Sequence, residues 1–177
     1  MPHVSAHLPH VLVLATIALL PVQAEAQRRA AAAQHPLSFG GQVSHGSETD
    51  FGVGGRVVFG LGAVAPRAPL EGVVAFDYFF PDEPPGIDLT YWEINGSVAY
   101  RVARRPAALQ PYLGGGVNIG RMAADTVGES RGSETRVGLS VLGGTTLRTG
   151  SRATPFAEAR VVVGKNDQLI ITGGLRF

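Results

Sequence analysis

The sequence predicts an all-β chain, eight antiparallel strands closed into an up-and-down transmembrane β-barrel. Three observations predict it. Apolar residues recur at every second position along most of the chain, the signature of strands with one greasy face. The breaks between these stretches are too short for crossover helices, so neighbouring strands pair antiparallel. Each stretch runs to about ten residues, which at about 3.3 Å per residue and a tilt near 40° gives the height of a bilayer's apolar band. Composition agrees: of 177 residues, 45% are hydrophobic, 16% are charged and 24 are glycine. Ordinary domains carry about 25% charge and about 7% glycine. The absence of cysteine excludes a disulfide framework, a thiolate metal site and a cysteine nucleophile. The formal net charge of +1 argues against nucleic acid as a partner.

The first element is an address. Residues 11–22 read VLVLATIALLPV, too short for the twenty or so residues of a spanning helix. His3, His7 and His10 precede the run, Pro21 breaks it, and Ala24, Glu25 and Ala26 give the small-x-small pattern of a signal peptidase site. The expected division is a signal peptide at 1–26, an amino-terminal arm at 27–35 and a barrel at 36–177.

The barrel strands follow in order. The first runs from Leu37 to Val43. The second, Phe51 to Leu61, is the clearest: Phe51, Val53, Gly55, Val57, Phe59 and Leu61 share one face, and Gly52, Gly54, Arg56, Val58 and Gly60 the other. The same alternation sets strands at Leu70 to Phe80, Trp92 to Tyr100, Pro111 to Ile119, Val137 to Leu147, Pro155 to Val163 and Leu169 to Phe177. Turn residues separate them at 46–50, 62–69, 81–89, 102–108, 121–134, 148–154 and 165–168. Closure removes the sheet edges, as lipid demands, and eight strands leave an interior that side chains fill.

Charge decides which face looks inward. Arg56, Glu71, Asp77, Glu93, Arg101, Arg136, Glu158, Arg160 and Arg176 all lie on the non-apolar parity, and the apolar parity carries no charge. A soluble barrel with the apolar face inside would have to pack nine large aromatics into a narrow lumen. Facing lipid, most of them instead fall near strand ends: Phe51, Tyr78, Phe80 and Trp92 at one rim, and Phe39, Phe59, Tyr100 and Phe177 at the other, as interfacial girdles do. The nine inward charges are expected to pair, since an unpaired buried charge is costly. Strand direction suggests Glu71 with Arg101, Glu158 with Arg176 and Arg56 with Asp77.

The chain ends in LIITGGLRF, in which Leu169, Ile171, Leu175 and Phe177 resemble the last-strand signal by which outer-membrane proteins are recognised for insertion. With the export signal and the eight strands, residues 36–177 resemble the small outer-membrane β-barrel families typified by the membrane domain of OmpA and by OmpX. The resemblance implies a bacterial outer-membrane location, a periplasmic amino terminus and extracellular loops at 46–50, 81–89, 121–134 and 165–168. It also implies outer-membrane lipids as partners, periplasmic chaperones and the barrel-assembly machinery during biogenesis, and a monomer with no cofactor. Those four loops hold nine acids against Arg121, Arg131 and Lys165, a net of −6, whereas the periplasmic turns and arm hold seven arginines and no acid.

No dinucleotide, Walker, zinc-protease or serine-hydrolase motif is present, and no catalytic or metal site is expected. The reading is a structural or surface-interaction protein with a lumen closed by a charged network. Two alternatives stay open. Some eight-stranded barrels are lipid A acyltransferases or deacylases, and His45 beside Ser44, Ser47 and Glu48 could serve as a general base, but the Asp-Ser and His-x-Ser patterns of those enzymes are missing. A narrow channel is the other. Asp82, Glu83 and Asp88 lack the spacing of a calcium loop, and the sequon at Asn95 falls inside a strand.

Overall fold

A computed structural model describes residues 37–81, 87–102, 108–126, 129–164 and 167–177. The signal peptide and arm, with Asp82 and Glu83, lie outside the described residues. The strands are β1 (Ser38–Gly46), β2 (Asp50–Gly60), β3 (Leu70–Phe80), β4 (Ile87–Arg101), β5 (Leu109–Thr126), β6 (Glu129–Leu147), β7 (Thr154–Val163) and β8 (Gln168–Arg176). Each pairs antiparallel with the next, and β8 returns to β1, so the sheet is a closed barrel.

The period of two sets the two surfaces. In β7, Phe156, Glu158, Arg160 and Val162 are buried while Ala157, Ala159, Val161 and Val163 are exposed. Across the barrel Arg160 is 1% exposed and Asp77 and Glu93 are 0%, whereas Val137, Leu139 and Val141 are all above 60%. Water would reverse this arrangement; a hydrocarbon surround selects it, because a lysine or arginine turned toward lipid costs about 2–4 kcal/mol at the bilayer midplane.

The seam between β1 and β8 runs from Gly40 paired with Arg176 to Gly46 paired with Ile170. The terminal residue extends it: Phe177 N–H donates to the Phe39 carbonyl at 2.8 Å, and Phe39 N–H donates to the Phe177 carbonyl at 3.2 Å. Crowding inside shows at Gly116 of β5, where an added Cβ would collide with the Gly96 carbonyl on β4. Only hydrogen fits there.

Three strands are longer than the alternation suggests. β4 begins at Ile87 instead of Trp92, β5 ends at Thr126 instead of Ile119, and β6 begins at Glu129 instead of Val137. The expected loop at 121–134 is therefore mostly a paired ribbon, with a register shift between Ala124 and Asp125. The reason is physical. Alternation of apolar with polar residues stops where the sheet leaves the apolar band, but the hydrogen-bonded ladder continues. Trp92 pairs with Arg121 at that boundary, and above it the outward positions become polar, as at Asp88, Ser133 and Thr135. β1 is also displaced, reaching Gly46, so that His45 lies within the strand.

Aromatic rings gather at this loop end. Phe51 and Phe80 face each other across β2 and β3 with centroids 6.4 Å apart, Tyr78 meets Phe80 edge-on at 5.2 Å, and Phe76 lies 6.3 Å from Trp92. Phe39, Phe59, Tyr100 and Phe177 stand outward near the turn end.

Because closure leaves detergent no sheet edge to attack, the folded barrel is expected to keep its compact form in dodecyl sulfate until heated. Boiled and unboiled samples should migrate at different positions on a gel; identical mobility would contradict a closed barrel.

Candidate functional site

The interior is layered along the barrel axis. Near the loop end, Phe79, Tyr91, Val162 and Ile170 form an apolar layer with Met122 against it. Toward the turn end, Val58, Val73, Ala99, Tyr112 and Leu142 form a second. Between them lies a polar network built from seven strands, every one but β6.

Its first half centres on Arg56 of β2, whose Nη1 and Nη2 donate to the two oxygens of Glu158 at 3.1 and 3.2 Å. This is the planar two-point contact that arginine makes and lysine does not. Arg56 Nε donates to Gln42 Oε1 at 2.6 Å, and the guanidinium sits 3.9 Å from the Phe156 ring centroid. Tyr112 O–H, from the lower apolar layer, donates to Glu158 at 2.9 Å.

The second half centres on Arg160 of β7, whose Nη2 donates to Asp77 at 3.3 Å and to Glu93 at 2.8 Å. Asp77 and Glu93 are paired positions on β3 and β4, so one guanidinium lies between two like charges. Polar neighbours share the load. Asp77 accepts from Gln42 Nε2 at 2.6 Å and Ser44 Oγ at 2.9 Å. Ser44 also meets Thr172 at 3.0 Å. Glu93 accepts from Asn95, Asn118 and Tyr91 at 2.9, 3.0 and 3.3 Å. Gln42 joins the halves, accepting from Arg56 while donating to Asp77. Charge-assisted bonds of this kind hold a carboxylate away from water at a tolerable cost.

Outside the two apolar layers lie smaller clusters. At the turn end Arg101 Nη2 is 2.5 Å and Arg176 Nη2 3.7 Å from Glu71 Oε1. At the loop end Arg136 meets Glu134 at 3.1 Å, and Gln168 Nε2 donates to Thr49 Oγ1 at 2.7 Å. A cavity of about 20 Å³ beside Tyr91, Asn118, Arg136 and Gln168 has room for a single water.

Two expected pairings are corrected. Arg56 pairs with Glu158, not Asp77, and Glu158 does not meet Arg176. The lumen is narrow enough for the Arg56 side chain to reach across it to β7, and β2 presents Gly54, not Arg56, opposite Asp77. Glu158 stands opposite Thr172 on β8, four residues from Arg176. Glu71 and Arg101 do meet, at the distance given above.

Of the residues beside the possible His45 base, Ser44 points inward to Asp77, whereas His45 is exposed on the outer face of β1 between Phe51 and Ile171, and Ser47 and Glu48 are exposed in the turn that follows, the Ser47 Oγ accepting from Leu169 N–H at 3.2 Å. Asn95, the sequon residue, is 2% exposed and committed to the network. The sequence assigns the charges to the lumen but not Gln42, Ser44, Asn95, Asn118 and Thr172, which join or support them there. Their signal was present: all lie on the inward parity of their strands.

No protein-family model and no curated protein sequence matches the chain. Solved structures do resemble it. The amino-terminal barrel domain of Pseudomonas aeruginosa OprF superimposes with a TM-score of 0.65 at 10% identity, covering 82% of this chain and 96% of that one. Neisserial surface protein A gives 0.57 at 21% identity, over 79% and 94%. Ail, the attachment invasion locus protein of Yersinia pestis, gives 0.52 at 14%, over 82% and 99%. All three are eight-stranded outer-membrane β-barrels, and at these identities the likeness is one of fold.

Replacing Arg160 with Met would leave Asp77 and Glu93 facing each other without their shared cation. A loss of about 3–5 kcal/mol is expected in urea unfolding followed by Trp92 fluorescence. The triple variant Arg160→Met, Asp77→Asn, Glu93→Gln should recover most of it, because no buried charge is then left alone.

Proposed function

We propose that this protein is an integral bacterial outer-membrane barrel whose interior is a structural core and whose work is done on its outer surface. The observation that carries this reading is the double seal of the lumen, an apolar layer above and below a network in which every carboxylate has several donors. Passage of a solute would require breaking both layers and separating buried ion pairs, each costing several kcal/mol. That weighs against the channel. The opposed directions of Ser44 and His45 weigh against a lipid-modifying hydrolase built on them. What remains available is the ribbon of β4, β5 and β6, which rises past the rim and offers an outward face of short polar side chains. The inverted distribution of apolar and charged residues supports the membrane location, and the likeness in fold to outer-membrane barrels supports the choice of membrane. In this reading the loop end is extracellular, the protein is a monomer in outer-membrane lipid, and it arrives there through its export signal, periplasmic chaperones and the barrel-assembly machinery.

Reconstituted in planar bilayers, the protein is expected to give no stepwise conductance; discrete steps would overturn the sealed lumen. An epitope inserted at Gly132, in the ribbon, should bind antibody on intact cells. Binding only after the cells are permeabilised would overturn the orientation.

A further inference from the structure

The two ends of the barrel differ in charge. At the turn end Arg67, Arg148 and Arg152 are exposed, and Arg101 and Arg176 open toward the same end from inside. The only acid described there is Glu71, which is already held by Arg101. The loop end carries Glu48, Asp50, Asp88, Glu134 and Asp167 against Arg121 and Arg136, the latter paired with Glu134.

The arginines are placed, not merely numerous. Arg148 follows Leu147, which stands outward on the apolar band, and its N–H donates to the Ala108 carbonyl at 2.8 Å. The turn between Arg148 and Arg152 is fixed by Thr149 and Ser151, whose hydroxyls both donate to the Ala153 carbonyl, at 2.9 and 2.8 Å. Gly150 takes φ 74°, a left-handed turn conformation in which glycine is strain-free. In the β2–β3 turn Val64 is 84% exposed, three residues before Arg67. Leu37, Phe39, Leu109 and Phe177 complete an apolar collar at this end, each more than half exposed. Guanidinium groups just beyond an apolar collar stand at the depth of lipid phosphates, and a planar fork bonds a phosphate at two points.

From this placement we infer that the turn end is a docking surface for anionic phospholipid headgroups, with Arg67, Arg148 and Arg152 as the phosphate-binding groups. The inference rests on the membrane reading above and adds to it a lipid preference confined to one leaflet. An arginine at an anionic surface contributes about a fivefold preference. The acidic loop end repels the same headgroups, so the field of the whole barrel favours one orientation relative to an anionic leaflet.

The test uses the full barrel in phosphatidylcholine bilayers with spin-labelled phosphatidylglycerol or phosphatidylcholine as probe. The native protein should immobilise phosphatidylglycerol several-fold more strongly, and added sodium chloride should weaken the preference. The triple variant Arg67→Gln, Arg148→Gln, Arg152→Gln should bring the ratio near one while keeping its heat-dependent gel shift, which shows that it still folds. Equal immobilisation of the two probes by the native protein would overturn the inference, as would a preference that survives the triple substitution. Loss of the preference on adding inorganic phosphate at matched ionic strength would assign the arginines to a free anion and overturn the lipid assignment. Absence of the native protein from outer-membrane fractions would instead overturn the membrane reading.

Discussion

Every backbone N–H and C=O that enters hydrocarbon must find a partner in the protein, and this requirement shapes the rest of the molecule. It forces β8 back onto β1 and brings Phe177 into register with Phe39. With only eight strands, closure leaves a lumen that side chains must fill, so the interior is set by the backbone before any residue in it is chosen. Gly116 shows how tight the result is, with the Gly96 carbonyl standing where a methyl would lie.

The constraint also turns the usual core inside out. Most aliphatic residues are committed to lipid, and between its two apolar layers the interior is polar. Such a core coheres through directed bonds: a guanidinium forked onto Glu158, another held between Asp77 and Glu93, and amides and hydroxyls saturating the remaining lone pairs. Directed bonds fix geometry more strictly than apolar contact does, and they fail abruptly when one partner is lost. The apolar layers at Phe79 and Val58 serve the network by excluding the water that would screen it, and each lends it a tyrosine hydroxyl.

Strand number, topology and facing were legible in the sequence because a membrane barrel writes them in a period of two. Strand length was not, since the apolar signal ends with the bilayer while the ladder at Asp88 or Thr135 goes on. Partnership inside the lumen was not legible either. Arg56 and Glu158 are far apart in the chain and lie on opposite walls, and no local count of register brings them together. The inward polar residues could have been read by parity, yet Gln42 or Asn118 taken alone resembles any polar strand residue. Only the crossing of the lumen gives them their role.

The seam has a kinetic consequence. Seven of the eight pairings join strands that follow one another in the chain, and each can form as a hairpin with little loss of chain entropy. The eighth joins Gly40 to Arg176, nearly the whole described length apart. A chain built this way gains structure quickly from local contacts and then waits on one long-range closure, the step most sensitive to topology. Until that step is complete, β1 and β8 present open edges able to pair with another chain. The residues that meet at the seam therefore govern not only the finished barrel but how long the unfinished one remains vulnerable.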